Sequence, residues 1–216
     1  MKLKKILRYI LPKKARTFLS HIIPRFYIVN TYLLSNPGLI ENLHLINKKY
    51  RIKTVSWQDE EKLKKAHLFR GPDSYKSKIP ARLNSEEWTG LAIFDKTNGD
   101  IAYLAWIINK SIPYFEEFGI YLKDGQFLLK DGYCIPAYRH KGLHTRMEQE
   151  RINYCVRQGA KDIFIQIHNS NIKGVASVLA NEYLLYSKNY VLQWHVFNVY
   201  RNLSSFLKNP FKKIVK

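Results

Sequence analysis

The chain has 216 residues, of which 46% are hydrophobic and 14% aromatic. This composition supports a buried core and excludes a disordered protein. The formal net charge is +19, and the two cysteines, Cys134 and Cys155, have neither metal-ligand spacing nor the number needed for a disulfide framework. Their pattern favours a reducing, cytoplasmic compartment.

The excess positive charge lies mainly at the two ends of the chain. Residues 1–25 contain eight basic and no acidic residues, and residues 201–216 contain five basic and no acidic residues. The central residues 26–200 then hold 23 basic against 17 acidic residues, a net charge of +6. This distribution argues against a uniformly basic nucleic-acid-binding domain. We expect a basic arm (1–25), one domain (26–203) and a basic tail (204–216).

The N-terminal arm has the pattern of two short amphipathic helices. Its apolar residues recur at helical spacing in two runs separated by Pro12: Leu3, Ile6, Leu7, Ile10 and Leu11, then Ala15, Phe18, Leu19, Ile22 and Ile23. Neither run approaches the ~18 to 20 residues of a membrane span. The arm therefore predicts either a peripheral contact with an anionic membrane surface or a segment packed on the domain.

The rest of the chain alternates between strand and helix patterns. Residues 26–50 carry a turn signal at 35–38 and no clear element. The following segments predict, in order, a strand (50–57), a helix (56–69), a loop (71–80), a hairpin (86–110), a second loop (111–125), a strand (126–136), a helix (138–158), a strand (162–168), a helix (169–183) and one or two strands (184–203). The hairpin has Asn98-Gly99 as its turn pair. This order predicts a mixed α/β domain.

One junction carries a possible binding function. In "CIPAYRHKGLHTRM" (134–147) a strand runs into a tight turn with Arg139, Lys141 and Gly142, and a helix follows. The first N–H groups of a helix have no partner within it and lie at the positive end of its dipole. A glycine lets an anion approach the backbone closely, and the two cations attract it. The junction therefore suits a bound anion better than a solvated helix end.

This segment resembles the signature of the GCN5-related N-acetyltransferases, which reads roughly V-x-P-x-Y-R-G-K-G-I-G. The order of elements over residues 50–200 is also similar to that family. The resemblance implies a central mixed, mostly antiparallel sheet flanked by helices, here preceded by the basic extension. It implies acetyl-CoA as co-substrate and no metal. The turn that would hold its pyrophosphate comprises Arg139, His140, Lys141, Gly142, Leu143, His144 and Thr145.

The resemblance also assigns roles to the preceding strand. The backbone of Cys134 and Ile135 would bind the pantetheine arm and the thioester carbonyl, and we interpret the Cys134 sulfur as a strand side chain and not a nucleophile. The sequence departs from the family at His144, where a second small residue is usual. A side chain there either crowds the phosphate or adds a contact, depending on its direction.

The proton donors and acceptors are less well defined. The family has an asparagine at the head of the next helix, which corresponds to Asn169 or Asn171, with Asn171 the predicted cofactor ligand. Its usual tyrosine two turns later is missing, so Tyr183 is the candidate general acid, with Tyr186 as an alternative. Both also fit simple packing.

A base must accept the proton of the acceptor. We expect it to be Glu117, which follows Glu116 in the loop before the motif strand, although adjacent acids in a loop are often only solvated. His168, at the end of a buried strand, is the other candidate.

The resemblance implies transfer of an acetyl group to an amine by direct attack. The basic arm suggests an acceptor at the inner membrane surface, such as an envelope or polysaccharide amino-sugar precursor. The alternative is an inactive acetyltransferase-like module whose basic arms hold an acidic partner, either a membrane or a nucleic acid. A nucleic-acid partner is the less favoured of the two because the central domain is nearly balanced in charge. The sequence does not predict an oligomeric state.

Overall fold

The computed structural model describes residues 25–69, 74–110, 120–194 and 199–202. The predicted basic tail, and the predicted arm up to residue 24, lie outside the described residues. The strands are β1 (Arg25–Ser35), β2 (Tyr50–Thr54), β3 (Trp88–Asp95), β4 (Ile101–Ile108), β5 (Gln126–Cys134), β6 (Asp162–His168), β7 (Leu184–Trp194) and β8 (Val199–Asn202). The helices are α1 (Glu60–Leu68), α2 (Ser74–Leu83), α3 (Leu143–Arg157) and α4 (Ile172–Ala180).

The strands form one sheet in the order β2-β3-β4-β5-β6-β1-β7-β8. Among the described strands only β5 and β6 pair in parallel, joined by the α3 crossover, and all other neighbours are antiparallel. The predicted mixed, mostly antiparallel sheet flanked by helices is confirmed. The hairpin prediction is also confirmed, because β3 and β4 pair from Trp88 opposite Ile108 to Phe94 opposite Ile101.

Alternate residues of the strands pack against helices on opposite faces of the sheet. On one face Leu91 and Ile93 of β3 join a core with Met147 of α3 and Val178 of α4. On the other face Ala92 and Phe94 join a second core with α1 and α2. All eight residues of β4 are buried, as expected for a strand covered on both faces.

Two elements were not predicted. The unassigned segment at residues 26–50 contributes β1, which lies inside the sheet between β6 and β7, and then an irregular stretch that follows α3. The predicted loop at 71–80 is wrong from Ser74 onward, since α2 begins there and contains Pro80. Burial of Tyr75 and Ile79, four residues apart, holds this helix on the sheet despite the proline.

The motif helix begins later than predicted. Residues Pro136–Tyr138 form a short 3₁₀ turn, and α3 starts at Leu143, directly after Gly142 with φ +71°. Glycine adopts this left-handed conformation without a steric penalty, so it ends the turn and starts the helix. Among the described residues, no helix is both long and apolar enough to cross a membrane.

Candidate active site

A cleft opens in the middle of the sheet where β5 and β6 separate. Their parallel pairing runs from Gln126 opposite Asp162 to Leu129 opposite Ile165, and both strands continue beyond it without pairing to each other. The resulting β5–β6 cleft has a volume of about 230 Å³. Its walls include Lys130 and Gly132 of β5, Gln166 of β6, and residues at the starts of α3 and α4.

A β-bulge in β5 causes the separation. The register between β4 and β5 shifts between Leu104 and Trp106, and Asp131 has φ +49°. An extra residue bends a strand and increases its twist, so β5 turns away from β6 in the residues that follow Leu129. An ion pair between Asp131 and Arg82 of α2 fixes the bulge to the opposite helix layer.

The predicted phosphate loop lies at the start of α3, at the edge of this cleft. His140 and Gly142 both have positive φ, at +61° and +71°. No side chain caps α3, and its first turn contains no acid. The N–H groups of Leu143, His144 and Thr145 therefore lie at the positive end of the helix dipole, which is the arrangement that binds phosphate in other proteins. Leu143 is buried and anchors this turn to the core.

The two cations of the loop fold back along the end of β5. Arg139 donates from Nε to the Cys134 carbonyl at 3.3 Å, and Lys141 donates to the Ala137 carbonyl at 3.0 Å. Both side chains are exposed and place positive charge beside the α3 N-terminus. On the outer side of the loop, the His44 ring packs directly on Gly142, where an added Cβ would lie 2.2 Å from His44 Nε2.

The predicted backbone contacts of Cys134 and Ile135 are not equivalent. The Ile135 N–H donates to the Ala102 carbonyl at 3.0 Å and is therefore already used within the sheet, which corrects its predicted role as a cofactor donor. Backbone N–H groups of successive strand residues point to opposite edges of the strand, so the Cys134 N–H points away from β4, toward the edge of β5 on which β6 lies. Burial raises the pKa of the Cys134 thiol, which fits a strand side chain and not a nucleophile.

His144 projects into the cleft and bridges two elements. Its Nδ1 is 2.7 Å from the Tyr103 hydroxyl of β4, and its Nε2 is 3.1 Å from the Ser177 hydroxyl of α4. Burial raises the pKa of Tyr103, so the phenol keeps its proton and donates it to Nδ1. Burial also lowers the pKa of His144, which leaves a neutral ring with its proton on Nε2.

The structure separates the two candidate asparagines. Asn171 lines the cleft and caps α4, accepting from the Gly174 N–H at 3.1 Å. Asn169 instead faces β1, where its side-chain oxygen accepts from Asn30 at 3.4 Å and its N–H donates to the Ile28 carbonyl at 2.8 Å. Asn171 is therefore the residue placed to contact a ligand in the cleft.

Tyr183, the predicted general acid, does not line the cleft. Its side chain is 2% exposed and lies in the core on the α3 and α4 side of the sheet. Its hydroxyl has no hydrogen-bond partner among the described residues, and burial raises its pKa well above the ordinary value. This corrects the prediction, because a group that protonates a leaving thiolate must reach it. Tyr186 is exposed and packs on Phe164.

Of the residues predicted as the general base, the structure describes His168. Glu116 and Glu117 lie outside the described residues. His168 lines the cleft, but its Nδ1 accepts from the Ser170 N–H at 3.3 Å. The Ser170 hydroxyl also lies 2.7 Å from Nδ1, so this ring nitrogen is engaged by the turn that follows β6.

Lys130, which sequence reasoning missed, lies on the cleft wall and donates to Gln166 Oε1 at 2.8 Å across the gap. Burial lowers its pKa to about 8.

A buried ion pair, Glu148 with Arg151, also borders the cleft and was not predicted. Both residues are almost fully buried, at 4% and 1% exposure. The helical spacing of Met147, Ile152 and Cys155 places both charges on the inward face of α3, so the signal was present in the sequence. Among the described residues, His, Cys, Asp and Glu form no group that could hold a metal ion.

The cleft and the loop fit acetyl-CoA in most respects. The uncapped α3 N-terminus suits a pyrophosphate, and the gap above Leu129 with the Cys134 N–H suits a pantetheine arm. His144 is the exception, because its ring crosses the gap from α3 to α4. The cleft volume of about 230 Å³ is below the ~300 to 1,000 Å³ common for small-molecule sites, which agrees with this obstruction.

Solved structures with this architecture have been described. One is a GCN5-related N-acetyltransferase from Sphaerobacter thermophilus, 14% identical with a TM-score of 0.56, over 83% of this chain and 54% of that chain. Another is a tandem protein of the same type from the clavulanic acid biosynthesis pathway, 12% identical with a TM-score of 0.60, over 84% and 57%. A third is a GCN5-related glucosamine N-acetyltransferase region of a fungal multi-domain β-N-acetylglucosaminidase, 10% identical with a TM-score of 0.57, over 83% and 22%.

The chain spans little more than half the length of the first two structures. No protein-family model matches the sequence, and no curated protein sequence is significantly similar to it. The likeness therefore concerns the fold. The chain has the fold of the GCN5-related N-acetyltransferases.

Proposed function

We propose that the protein transfers an acetyl group from acetyl-CoA to an amine. The observation that carries this proposal is the uncapped N-terminus of α3 at the edge of the β5–β6 cleft. When bound, acetyl-CoA would supply a thioester: its carbonyl carbon forms an amide bond with the acceptor nitrogen, its C–S bond breaks, and coenzyme A leaves as the thiol. The residues of the chain bind and orient acetyl-CoA: the N–H groups of Leu143 to Thr145 hold phosphate, with Arg139 and Lys141 beside them.

The Cys134 N–H and Asn171 act further along the cleft. A backbone N–H held in a fixed direction toward a carbonyl oxygen stabilises the negative charge that develops on that oxygen. Asn171 has its side-chain oxygen engaged in capping α4, so its amide NH₂ remains as a donor toward the cleft. Both groups are fixed by secondary structure and need no rearrangement to act.

Lys130 is the proposed proton acceptor among the described residues. It lies on the cleft wall, on the face of the sheet that carries α2, opposite the phosphate loop on α3. A pKa of about 8 allows a lysine to exchange protons near neutral pH. The neutral amine of Lys130 takes the proton that the acceptor nitrogen loses, directly or through one water. Glu117 remains a second candidate from the sequence.

We further propose an amino sugar or a related saccharide amine as the acceptor, at an anionic membrane surface contacted through residues 1–25. The support is the sequence of the basic arm and the fungal glucosamine N-acetyltransferase region of similar fold. The rival function, an inactive binding module, is favoured by one observation, the His144 bridge across the cleft.

A Thr145→Glu variant tests the cofactor site. Thr145 is exposed in the first turn of α3, where an added carboxylate stabilises the helix through its dipole but repels a phosphate. Calorimetric titration with acetyl-CoA should show binding to the wild type and a loss on the order of tenfold or more in the variant. Thermal unfolding should show an unchanged or higher midpoint.

Thr54→Glu is the matched control, since Thr54 is also exposed and lies on the edge strand β2. It introduces the same charge away from the loop and should leave the affinity unchanged. Absence of wild-type binding at high protein concentration and low salt would reject the enzyme and support the binding module. Binding without turnover on a panel of amines and amino sugars would have the same meaning.

A further inference from the structure

A second cavity lies on the α3 face of the sheet and shares no lining residue with the β5–β6 cleft. We call it the β2–α3 pocket; it is bounded by residues 46–53, Leu91 of β3 and α3 from Arg146 to Arg157. Its volume is about 460 Å³, twice that of the cleft and within the ~300 to 1,000 Å³ of small-molecule sites. Nothing in the proposed acetyl transfer uses this space.

The floor of the pocket is apolar and partly aromatic. Ile46, Ile52 and Leu91 line it, together with the rings of Tyr50 and Tyr154. Leu91 and Tyr50 are buried in the main core, which fixes the shape of the floor. Such a surface favours a ligand with an apolar or flat aromatic body.

The rim of the pocket is cationic. Arg146 pairs with Glu150 at 2.7 Å, and the Lys53 ammonium is directed away to Asp59 at 2.8 Å. Lys48 and Arg157 also line the pocket, both exposed, and the described residues provide no carboxylate partner for either. Glu150 is the one acid among the lining residues. The pocket is therefore net positive, which attracts an anion.

We propose that the β2–α3 pocket is a second binding site, for a small anion that carries an aromatic body. The floor of Ile46, Ile52 and Leu91 contacts the body, and Lys48 and Arg157 bind the anionic group. Arg is well suited to bidentate contact with phosphate, sulfonate or carboxylate. Nucleoside monophosphates and simple aryl anions share this chemistry.

The test is a calorimetric titration of the full chain with adenosine 5′-monophosphate, adenosine, inorganic phosphate and naphthalene-1-sulfonate. The double variant Lys48→Glu/Arg157→Glu removes the rim cations. The double variant Arg139→Glu/Lys141→Glu makes the same change in net charge at the phosphate loop. All four residues are exposed, so neither variant disturbs the core.

We expect the monophosphate to bind more tightly than adenosine or phosphate alone. The rim variant should weaken the affinity for the monophosphate on the order of tenfold or more, while the loop variant should leave this affinity unchanged. Binding of naphthalene-1-sulfonate alone, with the same dependence on the two variants, would support the site with a non-nucleotide ligand. Three results would overturn the proposal. The first is that neither the monophosphate nor naphthalene-1-sulfonate binds. The others are that both variants weaken the binding equally, or that the loop variant alone weakens it.

Discussion

His144 occupies the position at which the related signature has a small residue. From the sequence, its side chain would either crowd the phosphate or add a contact to it, and the direction of the ring decides between the two. The ring does not turn outward to meet a phosphate. It enters the β5–β6 cleft and is held at both nitrogens, by Tyr103 and by Ser177. The side chain therefore fills space that a pantetheine arm would need.

We predict that a His144→Ala variant binds acetyl-CoA more tightly than the wild type, by roughly thirtyfold. The reason is that binding no longer requires the ring to leave two hydrogen bonds, each with a net value of about 1 kcal/mol. Calorimetric titration measures the change. Thr54→Ala is the control, because Thr54 is exposed on the edge strand β2 and lines neither the cleft nor the phosphate loop. Weaker binding by the His144 variant would show instead that the ring contacts the cofactor.

Lys130 leads to a prediction about pH and stability. Its pKa falls from 10.5 to about 8 on folding because burial disfavours the charged form. Between these values the unfolded chain binds more protons than the folded chain, so this residue makes stability rise with pH across the window. Lys130→Met should raise the free energy of unfolding at pH 7, and its advantage over the wild type should shrink from pH 8 to pH 10.5. Urea unfolding at several pH values measures this.

A constant difference between the two proteins across that window would contradict the burial of Lys130. The same variant tests the proposed proton transfer. Its turnover should lose the rise with pH that a base of pKa about 8 produces. Lys130→Arg is the matched control, since it keeps the charge but cannot release a proton near neutral pH.

Helix α3 begins at the predicted phosphate loop, and its inward face carries a buried ion pair. The Glu148–Arg151 pair lies against the cleft at 4% and 1% exposure. Removing one partner leaves an unpaired buried charge, so Glu148→Leu should cost about 3 to 5 kcal/mol of stability. The double variant Glu148→Leu/Arg151→Met should recover most of that loss. Urea unfolding measures both.

The neighbouring Arg146–Glu150 pair is the control on the same helix, at 22% and 16% side-chain exposure. Glu150→Leu should cost no more than about 1 kcal/mol, as is usual for pairs that water reaches. Equal losses for Glu148→Leu and Glu150→Leu would mean that burial does not set the strength of the α3 pairs.

The sequence predicted those elements whose pattern is local. The hairpin of β3 and β4 has an Asn-Gly turn, and β6 is an uninterrupted apolar run, so both were found with nearly correct ends. Helix α2 was missed because Pro80 reads as a helix breaker, whereas Tyr75 and Ile79 bind it to the sheet. Tertiary packing outweighed the local propensity there.

The candidate site was predicted only in part for the same reason. The predicted phosphate loop is continuous in sequence, so a local motif was enough to propose it. Lys130, Tyr103 and Ser177 come from three separate elements, and only the β5 bulge and the packing of α4 bring them to one cleft. No spacing rule in the chain relates them. Tyr183 was chosen by position along the chain, but the turn after α4 directs it into the core.

At the scale of the whole molecule, β1 joins distant parts of the chain. It pairs with β6 from Val29 opposite His168 and with β7 from Arg25 opposite Gln193, so both its edges are used. Since an internal strand provides hydrogen bonds to two neighbours, its loss would separate β7 and β8 from the rest of the sheet. This strand begins at Arg25, the last residue of the basic arm, so residue 25 is the boundary between the proposed membrane contact and the folded domain.

Two truncations therefore separate the arm from the domain. A chain starting at residue 25 keeps β1 and should unfold cooperatively and bind acetyl-CoA as the full chain does. A chain starting at residue 36 lacks β1 and should lose both properties. Circular dichroism during urea unfolding and calorimetric titration measure these outcomes. Cooperative unfolding of the shorter chain would show that β1 is not needed to hold β6 and β7 together.

The same pair tests the membrane proposal. Residues 1–24 contain seven basic and no acidic residues, and each basic residue near an anionic lipid surface contributes about 1 kcal/mol. The full chain should sediment with phosphatidylglycerol vesicles and not with phosphatidylcholine vesicles, and added salt should release it. The chain starting at residue 25 should stay in solution with both. If it still sediments with the anionic vesicles, the arm is not the membrane contact, and an acceptor at that surface loses its support.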